Sequence, residues 1–456
     1  MNLWTYIRSK MLENPNQKIC EETAEMTYEE VIIFCEHFAK KISNQKCCAI
    51  LCDSEMMSGL ALLSCFAASV TAVPLSARYG ETHCKKILET IEPTAIITDR
   101  EGELSLLKFE DDLYKKPETD IALIMCTSGT TGRPKGAMLT EKNILTNLKD
   151  ICKYFKIDCS DYILISRPLY HCAVLTGEFL TALVKGVKIR FYSKQFNPKQ
   201  LIDIINYNSI TVFCATPTLV GMMARFNRTS QIKKLKTICI SGECMGSYTG
   251  KKISEAFPTV NIYHVYGLTE ACPRVSYLPP EYFNEYSDCV GIPLNSVSIK
   301  IIKADGKEAQ CDEDGILWIK GDNIMQGYHN SPQQTAKIKK NGWLCTGDVA
   351  RVNSKGFLKI KGRNDDLIIK AGMNIYPQEI EGTLKSNNKV KEVLVYKIDN
   401  EKYGVQIGLK IVGDFKNIKE VKELCIKTLP AFQIPNIIEI VEELPKNASG
   451  KIIRRV

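Results

Sequence analysis

Two rhythms of apolar residues alternate along the first two thirds of the chain. Short apolar runs such as Cys48–Cys52, Ala95–Thr98, Ile163–Ser166, Val212–Val220, Ile238–Gly242 and Ile262–Val265 read as buried strands, the fourth running into a turn at Pro217. Between them lie helical patterns. Thr27 with Glu30 three residues on has the form of a capping box for a helix through Ile42. Thr140 is placed as an N-cap, with Ile144, Leu145, Leu148, Ile151, Cys152 and Phe155 on one face. Such alternation predicts parallel or mixed sheets covered by helices. The uncharged stretch Met56–Val73 approaches membrane-spanning length. Ser58, Gly59, Ser64, Ser69 and Thr71 dilute it and Pro74 ends it, so it is expected to be a buried helix over Met57–Ser69 and a strand toward Val73.

From residue 290 the rhythm changes. VGIPL, VSIKII, GILWIKG, MQGY, GWLCTGD and GFLKIKGR are strand-like and separated by glycine, which predicts a compact antiparallel, barrel-like subdomain through residue 362. Beyond it, Gln378–Ser386 and Ile418–Leu429 are helical, and Val390–Ile398 and Val405–Ile411 are strands, giving a small α+β domain.

Composition narrows the class. A chain of 456 residues holds more than one domain, and 45% hydrophobic with 25% charged residues is the balance of a globular protein in water. The charge of +8 is modest and dispersed, without an arginine-rich arm or zinc-finger spacing, which argues against nucleic acid and suits small anionic ligands. None of the 19 cysteines forms a C-x-x-C pair. Most sit in apolar runs, as Cys47, Cys48 and Cys52 do, so buried free thiols in a reducing, cytoplasmic setting are expected. The N-terminal stretch is polar and mixed in charge, unlike a secretory signal.

The chemistry gathers first at Ile121–Gly136, IALIMCTSGTTGRPKG. An apolar strand over Ile121–Met125 leads into Thr127, Ser128, Gly129, Thr130, Thr131, Gly132 and Lys135. Glycines between a strand and a helix let backbone N–H groups approach an oxyanion, while hydroxyls add donors and the lysine adds charge. The inferred ligand is a polyphosphate. Pro134 before the lysine and Gly136 after it exclude a Walker A loop. A second cluster, Tyr266-Gly267-Leu268-Thr269-Glu270, follows the strand ending at Val265. There an aromatic can stack on a base, a hydroxyl can bond a phosphate and a carboxylate can hold Mg²⁺.

Together with Gly342–Asp348, Gly362–Asp366 and the terminal Ser449-Gly450-Lys451, these strings occur in an order that resembles the acyl-adenylate-forming, AMP-binding superfamily: acyl- and aryl-CoA synthetases, peptide-synthetase adenylation domains and luciferase. The resemblance spans about Thr27 to Arg455. It implies a large N-terminal domain, residues 1–363, of two α/β sheet subdomains and the barrel-like unit, followed by a small mobile C-terminal domain, residues 364–456, on a hinge at Asp365. It implies ATP, Mg²⁺ on Glu270, and CoA or the phosphopantetheine of a free-standing carrier protein as acceptor, since no carrier domain is seen in the chain. Further implied roles are stacking of Tyr266 on adenine, Gly242, Glu243 and Cys244 packing beside it, Asp348 and Arg363 on the ribose, Thr269 on the α-phosphate, and Lys451 as the catalytic lysine. His171 is implied to lie between nucleotide and acid, with Cys172, Val174, Gly177, Ser241, Gly242, Val265 and Gly267 lining the acid pocket. Amino-acid-activating relatives usually carry an aspartate after such a histidine. Here the run is Cys172, Ala173 and Val174, so an acid with an uncharged acyl or aryl tail is expected.

Overall fold

The computed structural model describes residues 2–76, 80–109, 113–115, 117, 120–127, 134–192, 197–227, 232–370, 373–400, 404–446 and 452–453. Two mixed sheets form the body. The seven-stranded sheet runs in the order Gly327–Tyr328, Lys135–Leu139, Leu123–Thr127, Thr71–Pro74, Cys47–Ile50, Ala95–Arg100 and Glu103–Lys108. Its middle is parallel and its two ends are antiparallel. The nine-stranded sheet runs in the order Ile292–Pro293, Arg274–Leu278, Asn261–Gly267, Thr237–Ile240, Val212–Ala215, Tyr162–Ile165, Lys188–Phe191, Lys18–Glu21 and Ala24–Thr27.

Local chemistry accounts for the helices packed against these sheets. The Thr27 side chain accepts from Glu30 N–H while the Glu30 carboxylate accepts from Thr27 N–H, so the capping box forms and the helix Tyr28–Ile42 follows. Thr140 and Asn143 cap Glu141–Tyr154 in the same reciprocal way. The apolar stretch after Met56 is a helix, Glu55–Ala68, capped by Ser54 and ended by Ser69 in the left-handed region. At 14 residues, with apolar side chains all round, it suits a core between layers. Among the described residues, no helix is long and apolar enough to cross a membrane.

Three expectations change. Pro217 does not end in a turn: it is the first residue of the helix Pro217–Phe226, where its missing N–H costs nothing, with Thr216 as N-cap. Lys135–Leu139 is a strand antiparallel to Leu123–Thr127, so the glycine-rich segment joins two strands of a hairpin instead of leading from a strand into a helix. Gly136 and Ala137 are packed inside, which favours extended pairing over a helical turn. Finally, the region expected as a barrel-like unit contributes a five-stranded antiparallel sheet of Val297–Ile302, Gly315–Gly321, Lys339–Lys340, Trp343–Val352 and Leu358–Arg363. Two of its pieces go elsewhere. Ile292–Pro293 edges the nine-stranded sheet, and Gly327–Tyr328 edges the seven-stranded one.

The C-terminal part has its own apolar core, built from Ile380, Leu384, Val393, Ile407, Leu409, Val421 and Cys425. Strands Val390–Asn400, Gly404–Gly413 and Ile437–Ile440 form its sheet, flanked by helices Pro377–Leu384 and Ile418–Thr428. It meets the body where Gly382 faces Gly246 closely and where Lys361 Nζ lies 2.9 Å from Glu379 and 3.0 Å from Asp314. Asn364–Asp366, which includes the expected hinge residue Asp365, is a short 3₁₀ turn between strands.

Candidate active site

The two antiparallel ends of the sheets bring the predicted residues together. The strand Asn261–Gly267 ends at Tyr266 and Gly267, and a 3₁₀ turn, Thr269–Ala271, carries Thr269 and Glu270. No side chain fits at Gly267, because a Cβ there would lie 2.1 Å from the Pro273 carbonyl oxygen. The segment from Asn323 to Tyr328 braces this turn. Asn323 Nδ2 donates to the carbonyls of Ala271 and Arg274, and Met325 N–H donates to the Glu270 carbonyl.

On one side of the turn, the Tyr266 hydroxyl donates to Asp348. Arg363 Nη1 lies 3.2 Å from the other oxygen of that carboxylate and 2.7 Å from the Thr346 carbonyl. Thr346 accepts from Asp348 N–H and donates to the Leu317 carbonyl, which fixes the acid in place. Gly347 between them has φ of 72°, and a Cβ there would meet the Arg363 guanidinium at 2.9 Å. Burial, and then the Asp348 charge, push the Tyr266 phenol well above its ordinary value, so it donates as a neutral hydroxyl.

On the other side, the Tyr328 hydroxyl donates to Glu270 Oε1 at 2.6 Å. Lys135 Nζ sits over the Tyr328 ring, 5.3 Å from its centroid. Tyr328 is not legible as a site residue in the sequence, and Thr346 lies inside the Gly342–Asp348 string without a role of its own. Both lie in strands whose partners are remote, and only the glycines beside them give a local hint. No group of three or more His, Cys, Asp or Glu residues is gathered for a metal among the described residues. A single well-placed carboxylate instead fits a hard cation that takes its remaining ligands from phosphate and water.

The acid-pocket candidates line the strand ends opposite. Ser241 is buried with no partner for its hydroxyl, Val265 is buried, and Gly242 has φ of 97°. The Glu243 carboxylate is taken up by the Thr218 hydroxyl at 2.5 Å and by Thr218 N–H at 3.3 Å, while Cys244 is exposed. His171 starts a helical turn, Cys172–Val174, that opens into a π-helical turn, Leu175–Leu180, carrying Gly177. Burial, and then the Arg167 charge, push the His171 imidazole down to about 3, so it is neutral near pH 7. Burial pushes the Cys172 thiol up to about 12, which removes it as a nucleophile. Thr127 is hydrogen-bonded across the hairpin to the Lys135 carbonyl. Ser128, Gly129, Thr130, Thr131, Gly132 and Lys451 lie outside the described residues.

Comparison with known proteins covers both parts of the chain. Residues 8–329 match the model of the AMP-binding enzyme family, and residues 379–451 match that of the AMP-binding enzyme C-terminal domain. The chain is 32% identical to a long-chain-fatty-acid–CoA ligase of Haemophilus influenzae over 82% of its own length and 68% of that enzyme. It is 31% identical to a 2-succinylbenzoate–CoA ligase of Bacillus pumilus over 86% and 83% of the two chains. The solved o-succinylbenzoate CoA synthetase of Bacillus subtilis, in complex with its acyl-adenylate intermediate, superposes with a TM-score of 0.86 at 27% identity, covering 100% of this chain and 97% of that one. Both the large and the small part are thus accounted for, and the chain belongs to the AMP-binding enzyme family.

Proposed function

We propose that this chain is an AMP-forming acid–CoA ligase: a carboxylate attacks the α-phosphorus of ATP and releases pyrophosphate, and a thiol then attacks the acyl carbon and releases AMP. The observation that carries the reading is the pair of polar assemblies, Tyr266–Asp348–Arg363 and Glu270–Tyr328, flanking one strand end. In this reading the Tyr266 ring packs on adenine beside Gly242, Glu243 and Cys244, and Asp348 with Arg363 takes the ribose hydroxyls. Thr269 and Lys451 meet the α-phosphate, and the Thr127–Gly132 loop with Lys135 takes the remaining phosphates. Negative charge builds on phosphoryl oxygens in the first step, so fixed donors and cations supply the catalysis and no side-chain nucleophile is required. Mg²⁺, held through Glu270, would neutralise part of that charge.

The acid lies between His171 and the strand ends, against Cys172, Val174, Gly177, Ser241, Val265 and Gly267. The run Cys172–Gly177 after His171 holds no aspartate to pair an ammonium, and Glu178 beyond it is already ion-paired to Arg167, which favours an uncharged acyl or aryl acid over amino acids. The domain boundary falls at residues 363 and 364, with Asp365 as the pivot. The nineteen free thiols favour a reducing, cytoplasmic setting. The deciding experiment is a pyrophosphate-release screen over aliphatic, aryl and amino acids, run with CoA and then with holo-carrier proteins. Turnover of a carboxylic acid with CoA is expected. Thioester formation with carriers alone would move the acceptor to a carrier protein, and amino acids activated tenfold better than any other acid would overturn the substrate class.

A further inference from the structure

Arg274 is a buried cation for which the mechanism has no use. It stands opposite Gly267 in the strand Arg274–Leu278 and is 1% exposed. Its backbone is clamped. Arg274 N–H donates to Asn147 Oδ1 at 3.1 Å, and its carbonyl accepts from Asn147 and Asn323, both fully buried. The side chain crosses beneath the Asn261–Gly267 strand and brings Nη2 to 3.8 Å from Cys239 Sγ on the next strand. A methyl group at Gly177 would come within 2.8 Å of the same nitrogen. The guanidinium therefore lies between the π-helical turn and the sheet, under the positions assigned to the acid pocket.

Its hydrogen bonding is incomplete. Arg274 Nε is buried without an acceptor, a thiol sulfur is a weak partner for Nη2, and the remaining side-chain partner, the buried Tyr154 hydroxyl, is uncharged. Among the described residues no carboxylate comes within ion-pair distance of Arg274. Glu178, next to Gly177, is ion-paired to Arg167 at 2.5 Å and feels the Arg274 charge only at longer range. The local count is two guanidinium groups to one carboxylate. A guanidinium does not relieve burial by losing its proton, and an unpaired buried charge is strongly unfavourable. Ser241 Oγ, two residues beyond Cys239 in the chain, is also buried and unpartnered.

We propose that Arg274 is a specificity residue that receives a second carboxylate on the acid substrate, so that the enzyme activates one end of a dicarboxylic acid while the other end lies against this guanidinium. The inference rests on the ligase reading above. It also alters the uncharged tail expected from Cys172–Val174: an acid with an apolar middle and an anionic far end satisfies both features. A site built around a buried donor discriminates strongly against an analogue lacking the matching group.

The test compares length-matched pairs, octanoate with octanedioate and benzoates with and without a second carboxyl arm, by pyrophosphate release and by CoA thioester formation. Wild type should favour the diacid of at least one pair by tenfold or more in kcat/KM, and Arg274→Leu should lower that diacid-to-monoacid ratio at least 30-fold with the KM for ATP little changed. Arg274→Lys, which keeps the charge without the planar fork, should fall between the two. Monoacids turned over as well as, or better than, every diacid by wild type would overturn the inference while leaving the ligase reading intact. An unchanged ratio in Arg274→Leu would also overturn it. If Arg274→Leu does not fold, the wild-type panel and Arg274→Lys decide. Release of pyrophosphate with no acid at all would sink both readings.

Discussion

Tyr328 offers the sharpest test of how the metal-side carboxylate is held. Tyr328→Phe removes one oxygen and keeps the ring, so Glu270 Oε1 loses its 2.6 Å donor while the Lys135 contact survives. A hydrogen bond to a charged group is worth about 1.5–3 kcal/mol. At about 1.4 kcal/mol per decade, that predicts a loss of roughly 10- to 150-fold in kcat/KM if the bond is fully used in the transition state. Tyr328→Leu also removes the cation–π contact, about 0.5–1 kcal/mol, and should cost a further few-fold. The assay is pyrophosphate release across an Mg²⁺ titration. The deficit should be largest at limiting Mg²⁺ and shrink as Mg²⁺ rises, as it should for Glu270→Gln, which keeps the shape and removes an anionic oxygen. In the Glu270→Gln background, adding Tyr328→Phe should change little, because the coupled partner is already gone. Wild-type kcat/KM for Tyr328→Phe at limiting Mg²⁺ would refute the reasoning.

Other outcomes are equally specific. Lys451→Ala should cut acyl-AMP formation by orders of magnitude yet leave thioester formation from supplied acyl-AMP within several-fold, whereas Asp365→Pro, which fixes φ in the 3₁₀ turn, should do the reverse; equal slowing of both steps by Lys451→Ala would contradict this. Burial pushes the imidazoles of His264 and His171 from 6.5 down to about 4 and about 3. The unfolded chain therefore takes up protons first, and stability is lost as pH falls from 6.5 toward 4. His264→Gln should flatten that loss in urea midpoints measured at pH 7 and pH 5. Dithiothreitol should leave the thermal midpoint unchanged or raise it, since all nineteen cysteines are free; a clear drop would argue for a disulfide.

What was legible in the chain was local. The Thr27–Glu30 capping box needs only four residues, and the alternation of buried strands with amphipathic helices repeats within short windows. What was not legible depended on remote pairing. Lys135–Leu139 reads as loop because a proline and a glycine bracket its start, and only Leu123–Thr127 and Gly327–Tyr328 on its two sides make it a strand. Tyr328 itself is two residues of edge strand, too short for any periodicity. Arg274 is a single cation at the start of a buried strand, and its surroundings depend on Cys239, Tyr154 and Gly177, all remote in sequence. Pro217 reads as a turn at the end of an apolar run, although the threonine before it is the N-cap that makes proline a helix starter.

The threading of the nine-stranded sheet also bears on how the chain is made. Lys18–Glu21 pairs with Lys188–Phe191, the Gln17 side chain reaches the Gly186 carbonyl across 169 residues, and the buried Tyr28 hydroxyl reaches the Val187 carbonyl across 159. None of these contacts exists until the later strand has left the ribosome. At about 5–20 residues per second, that is a wait on the order of 10–30 s. During it, Ile19 and Cys20 have no finished core to enter, and the largely apolar helix Glu55–Ala68, which packs mainly on the helix Tyr28–Ile42, still lacks the Phe179 ring that covers Gly59. Long-range pairing of this kind slows folding and prolongs exposure of sticky surface. What stays open for that interval is the edge of Lys18–Glu21 and the patch at Gly59 that the Phe179 ring later closes.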